Sequence, residues 1–157
     1  MRVAISCDHA GFNLKNELTD YLFSLNYEVS DLGSEIFDPY DDYPDAALAV
    51  ASSVAKGDAD RGVIVCGSGV GASIAANKVI GIRASICHDL YSASQGVEHD
   101  GVNILCLGER VISIDLAKEI LKTFLSSEFS GEDRHRRRLD KVLSIEREYL
   151  LNESSHE

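Results

Sequence analysis

The chain has 157 residues, 45% of them hydrophobic and 26% charged, a balance that suits one globular domain and excludes a disordered chain. Its formal net charge of −11 repels nucleic acid and anionic membranes, so an anionic small-molecule ligand needs a locally basic site. No apolar run approaches a membrane span, the N-terminal MRVAISCDHAG lacks the pattern of a signal peptide, and four cysteines without framework spacing read as reduced thiols of a cytoplasmic protein.

Strand-like and helical patterns alternate along the chain. Residues 2–6 read as a first strand, and after Asp8-His9-Ala10-Gly11 comes a helix whose Leu14, Leu18, Leu22 and Leu25 repeat at helical spacing and face a core. Residues 28–31 form a short second strand. Residues 34–42 are an acidic loop, and Pro44 suits the first turn of a helix with Ala47, Val50 and Val54 on its apolar face, ended by Gly57. Val63, Ile64 and Val65 make a third strand, followed by a glycine-rich turn and a helix through about Lys78.

Residues 82–87 are expected to be a fourth strand, 91–98 a helix and 102–107 a fifth strand. Ser113 caps a helix with the stripe Ile114, Ala117, Ile120, Leu121 and Phe124. From Glu132 onward an arginine-rich helix carries Leu139, Val142, Ile145 and Tyr149 at helical spacing, a face for the body or for a second subunit. The expectation is one α/β domain over 1–151, a five-stranded parallel sheet with helices on both faces, and a disordered end at 152–157.

The most informative stretch is VIVCGSGVGAS, residues 63–73. Gly67, Gly69 and Gly71 let the backbone turn tightly and leave N–H groups uncovered, and the helix that follows adds the positive end of its dipole. Such a site suits a phosphate, a carboxylate or an enediolate. Cys66 stands at its lip, where the same amides favour a thiolate. In parallel sheets ligands bind beyond the carboxyl ends of the strands, which is where Asp8, His9 and Cys66 fall.

Other readings compete. Gly67-Ser68-Gly69-Val70-Gly71-Ala72 also satisfies a dinucleotide-binding fingerprint, with Asp89 near the spacing of a ribose-binding acid. Asp8 and His9 suit the cap of the first helix, His99 suits an exposed helix end, and Cys7, Cys87 and Cys106 suit the core. A metal site from Cys7, Asp8, His9 and Cys66 has no paired ligand spacing to support it. Arg134 and Arg138 lie four apart on one helical face, where two guanidinium forks can hold a phosphate dianion.

The segments CDHAGF, DYP at residues 42–44, CGSGVGASIAANK, IRA, the His99 region, LGER at 107–110 and the basic tail resemble, in order, the family of ribose-5-phosphate isomerase B and the galactose-6-phosphate isomerase subunits. The likeness runs from Met1 to about Glu148. It implies a Rossmann-like three-layer α/β/α fold in a homodimer, with pairing into tetramers left open, and interconversion of D-ribose 5-phosphate and D-ribulose 5-phosphate without metal or cofactor. By the resemblance Cys66 moves the proton between C1 and C2. Ser68, where many relatives have Thr, supports the enediolate with the amides of Gly67, Gly69, Val70, Gly71, Ala72 and Ser73. Asp8 and His99 help to open the furanose ring, while His9, Arg110, Arg134 and Arg138 take the phosphate and Tyr43 lines the pocket. The pocket is built between subunits. Asp100 departs from the pattern, standing where most relatives carry Asn. A 6-phosphohexose substrate, a nucleotide-binding protein and a non-catalytic sugar-phosphate sensor are the alternatives.

Overall fold

A computed structural model describes residues 1–150; the expected disordered end at 152–157 lies outside them. Five parallel strands, β1 (Arg2–Cys7), β2 (Glu28–Asp31), β3 (Arg61–Cys66), β4 (Ala84–Ile86) and β5 (Ile104–Gly108), form one sheet in the order β2-β1-β3-β5-β4. Six helices accompany them: α1 (Phe12–Ser24), α2 (Tyr43–Ala55), α3 (Val70–Ala76), α4 (Leu90–Asp100), α5 (Ile114–Ser126) and α6 (Asp133–Leu150). The expected three-layer α/β/α fold is what forms.

Its layers follow from the two-residue period of buried strands. Val3, Ile5, Val63, Val65, Leu105 and Leu107 face one side, where Leu14, Leu18 and Leu22 of α1, Ala93 and Val97 of α4, and Ile120, Leu121 and Phe124 of α5 cover them. Ala4, Ile64, Cys66, Ile104 and Cys106 face the other, under Ala47, Val50 and Ala51 of α2 and Ala72 and Ala76 of α3. Ser113 caps α5 as expected, accepting from Leu116 N. Arg61, half-buried, donates to the carbonyls of Phe124 and Ser127 at the other end of α5. A cation there meets the negative end of the helix and its unpaired carbonyls.

Several boundaries differ from expectation, each for a reason distant in sequence. The helix α3 stops at Ala76, because the Asn77 side chain turns back to bond Ser73 O and both backbone groups of Ala84. The strand β4 is shorter than 82–87: Ile82 N donates to Val79 O within a turn, and Arg83 N donates to the Asn103 side chain. Likewise β5 begins at Ile104, since Val102 N donates to Gly96 O at the end of α4. Leu25 lies past the end of α1 and Ile114 at the very start of α5, so both leave the core, 36% and 42% exposed.

Gly11 brings the β1–α1 turn against β3. A Cβ there would lie 2.4 Å from the carbonyl oxygen of Val65, which is backbone and cannot yield cheaply. Gly11→Ala is therefore expected to destabilise by about 1–3 kcal/mol or more, as overpacking does. Chemical denaturation measures it, and an unchanged midpoint would show that the turn relaxes freely.

Candidate active site

The sheet order places a switch point between β1 and β3, whose chain connections leave in opposite directions, and open sheets of this kind bind ligands there. A cavity of about 370 Å³ lies at that place, lined by Asp8, His9, Ala10, Tyr43, Cys66, Gly67, Ser68, Gly71, Arg110 and Val111. A larger groove of about 550 Å³ runs between α6 and the β4 edge, but its lining is mostly apolar and gathers no nucleophile.

From the end of β1 come Asp8 and His9. Asp8 is 7% exposed and its Oδ1 accepts from Ala10 N at 3.0 Å, so it caps the single 3-10 turn at His9–Gly11 as well as lining the cavity. Burial pushes its carboxyl pKa up. His9 is held by Asp41, whose Oδ1 lies 2.8 Å from Nδ1 and accepts from the His9 amide at 2.7 Å. That pairing leaves Nε2 of His9 for a ligand and raises the imidazole pKa, the hydrogen bond to Asp41 being the chief cause. Sequence reasoning missed Asp41; it sits 32 residues away in what reads only as an acidic loop.

The raised value has a sign that can be tested. Because the folded pKa lies above the ordinary histidine value, the pair contributes stability below that value and loses it as pH rises through the raised one. A phosphate bound by a His9 cation would weaken over the same window. Asp41→Asn should move the rise of KM for a phosphorylated substrate to lower pH. KM measured across pH reads this directly, and an unmoved profile would detach Asp41 from binding.

From β3 comes Cys66, 5% exposed, its Sγ accepting from Gly69 N at 3.0 Å. Gly69 takes φ of 83°, a left-handed conformation open to glycine, and this turns its amide back to the sulfur. The expected cradle of amides is thus already partly used: Gly69 N serves Cys66, Val70 N donates to Ser68 Oγ at 3.2 Å, and Ser73 N donates to Gly69 O at 3.0 Å. Gly71 and Ala72, in the first turn of α3, have no acceptor within the helix, and only Gly71 lines the cavity.

Glycines set three close approaches around this turn. The Tyr43 ring rests against Gly71, where a Cβ would come within 2.7 Å of it. Gly108, at the end of β5, lies under the backbone of Ser68, and a Cβ at Gly67 would lie 3.3 Å from the Arg110 guanidinium. Glu109 N and Arg110 N donate to Cys66 O and Gly67 O at 2.9 and 3.1 Å, so the segment carrying Arg110 is zipped to the cysteine turn. His88, also missed from sequence, accepts from Gly108 N at 3.0 Å and anchors that zipper.

Four expected site residues are elsewhere in the chain. His99 and Asp100 end α4, Arg134 and Arg138 lie on the exposed first half of α6, and none lines the Cys66 cavity. Arg134 Nε is already paired with Glu132 at 2.8 Å. The remaining thiols are buried and free; burial pushes Cys7 up to about 12 and raises Cys87 and Cys106. Asp89, the candidate ribose acid, instead caps α4 by accepting from Ser92 N at 2.7 Å. No described helix is long and apolar enough to cross a membrane.

A buried thiol, a histidine–carboxylate pair and an arginine converge at a sheet switch point, the place where α/β enzymes bind small ligands. The Ribose/Galactose Isomerase family model matches residues 3–142, and the chain belongs to that family. Ribose-5-phosphate isomerase B of Escherichia coli is 42% identical over 145 residues, covering 92% of this chain and 96% of that protein. A D-erythrulose-4-phosphate isomerase of Mycolicibacterium smegmatis is 38% identical over 148 residues, covering 93% and 97%. Among solved structures, ribose-5-phosphate isomerase B of Clostridium thermocellum superposes with a TM-score of 0.91 at 48% identity over 95% of this chain and 99% of that one. The Mycoplasma genitalium enzyme with bound ribulose-5-phosphate gives 0.89 at 39% identity over 94% and 97%.

Proposed function

We propose that this protein interconverts D-ribose 5-phosphate and D-ribulose 5-phosphate through an enediolate, with Cys66 as the base. The observation that carries it is the Cys66 sulfur, held at 3.0 Å by the Gly69 amide in the wall of the switch-point cavity. Asp8 and His99 between them take the proton of the anomeric hydroxyl and protonate the ring oxygen, which opens the furanose. The Cys66 thiolate removes the C2 proton of the aldose, charge moves to O1, and the proton returns at C1 while the O2 proton passes to O1. Ser68 and the Gly71 amide meet the developing oxyanion, in a place where preorganised donors count most. His9 and Arg110 bind the phosphate together with Arg134 and Arg138.

Those last two residues and His99 enter from a second copy of the chain. Val142, Ile145 and Tyr149 of α6, 51%, 58% and 68% exposed, support this, since an apolar stripe left bare on one chain needs a partner. The α6–β4 groove they line seats that second copy. Incubating the purified protein with D-ribose 5-phosphate and following ketose formation tests the reading, and no conversion would overturn it. Relatives named for D-erythrulose 4-phosphate make a tetrose phosphate the comparison substrate; preferred turnover of it would reassign the substrate while leaving the chemistry.

A further inference from the structure

We propose that His135 is a positioning residue for His99: its buried imidazole holds the His99 ring face to face, so that His99 presents Nε2 to the ring oxygen of a cyclic substrate. The inference rests on the ring-opening role given to His99 above.

The two rings stack with centroids 3.9 Å apart and planes 23° from parallel. His135 is 1% exposed, a polar ring in a place where an aliphatic side chain would fill the volume without offering a flat face. Its own orientation is fixed. Ser130 Oγ lies 2.6 Å from its Nδ1, within hydrogen-bond reach, and is itself held by accepting from Glu132 N at 3.2 Å. Ser130 N in turn donates to Glu98 O at 2.9 Å, tying the segment before α6 to the residue next to His99.

His99 is gripped along its edge as well. Gln95 Nε2 donates to His99 Nδ1 and to Asp100 Oδ2, each at 3.2 Å. A donor at Nδ1 places the proton of the neutral ring on Nε2, the nitrogen turned away from Gln95. Burial first, then His99 and Arg134, push the His135 pKa down against the opposing pull of Glu132. Asp100 also has a place here, as the second acceptor of the amide that orients His99.

The test uses the full chain and D-ribose 5-phosphate carrying hydrogen or deuterium at C2. His135→Ala should lower kcat/KM about tenfold, a fraction of the roughly 10²–10⁴ that a positioned acid–base group supplies. It should also shrink the C2-deuterium isotope effect toward unity, because ring opening then precedes proton abstraction as the slow step. His135→Phe, which keeps a flat ring in the same place, should recover most of both. A His135→Ala enzyme with wild-type kcat/KM, or a slowed one with an undiminished isotope effect, would overturn the proposal. Failure of the functional reading shows separately, as a wild-type chain without turnover. The His99 Cε1 proton gives a readout free of activity: it should move downfield when the stacked ring is removed, and an unmoved resonance would also overturn the proposal.

Discussion

Cys66→Ala should abolish isomerisation while leaving the fold and sugar-phosphate binding nearly intact. Abstraction of a proton next to a carbonyl needs a base within reach, and in the proposed mechanism the other charged groups lining the cavity have other duties, Asp8 in ring opening and His9 and Arg110 at the phosphate. Loss of a general base costs about 10²–10⁴ in rate, so kcat should fall by at least the lower figure. The stability cost is small by comparison. The substitution removes one sulfur and leaves the Gly69 amide without its acceptor, worth about 1–3 kcal/mol if that amide stays dry and less if water reaches it from the cavity.

Cys66→Ser separates the two duties of that sulfur. A hydroxyl still accepts from Gly69 but is a far weaker acid, so the serine enzyme should recover stability and remain inactive. Steady-state kinetics, with thermal unfolding in the presence and absence of ribose 5-phosphate, decides both points. An alanine variant with ordinary turnover would remove the thiol from the mechanism.

How much of this was legible in the sequence depends on how local each cause is. The strands β1, β3 and β5 are buried on both faces, so their apolar runs announce themselves. The cysteine turn is equally plain, because glycines at 67, 69 and 71 follow directly from a β-branched strand. The edges of β4 were not legible, since the Asn77 and Asn103 side chains that set them act on backbone groups up to 22 residues away. Asp41 was hidden for the same reason: nothing in an acidic loop marks one carboxylate as the partner of His9. The amide cradle was overcounted, because sequence spacing does not say that Gly69 turns its N–H to the sulfur and Val70 to Ser68. The bare stripe of α6 was visible, but one chain alone cannot supply its cover.

That bare stripe leads to the second large effect. If His99, Arg134 and Arg138 complete the cavity of a second copy, two inactive variants should restore each other. Cys66→Ala lacks the base. Arg138→Ala lacks a phosphate ligand, and losing one charge-assisted hydrogen bond of about 1.5–3 kcal/mol lowers kcat/KM about 10–100-fold. In a dimer of one chain of each kind, one cavity carries both defects and the other carries none. Random pairing makes half of the dimers mixed, so co-expressed or exchanged subunits should regain about a quarter of wild-type activity at substrate well below KM. A cavity complete within one chain predicts instead only the average of the two parents, which is close to nothing. The distance between these outcomes is large because Arg138 lies on α6 outside the cavity that holds Cys66 in its own chain. An arginine so placed either reaches a neighbour's substrate or takes no part in binding, and the mixing experiment separates the two.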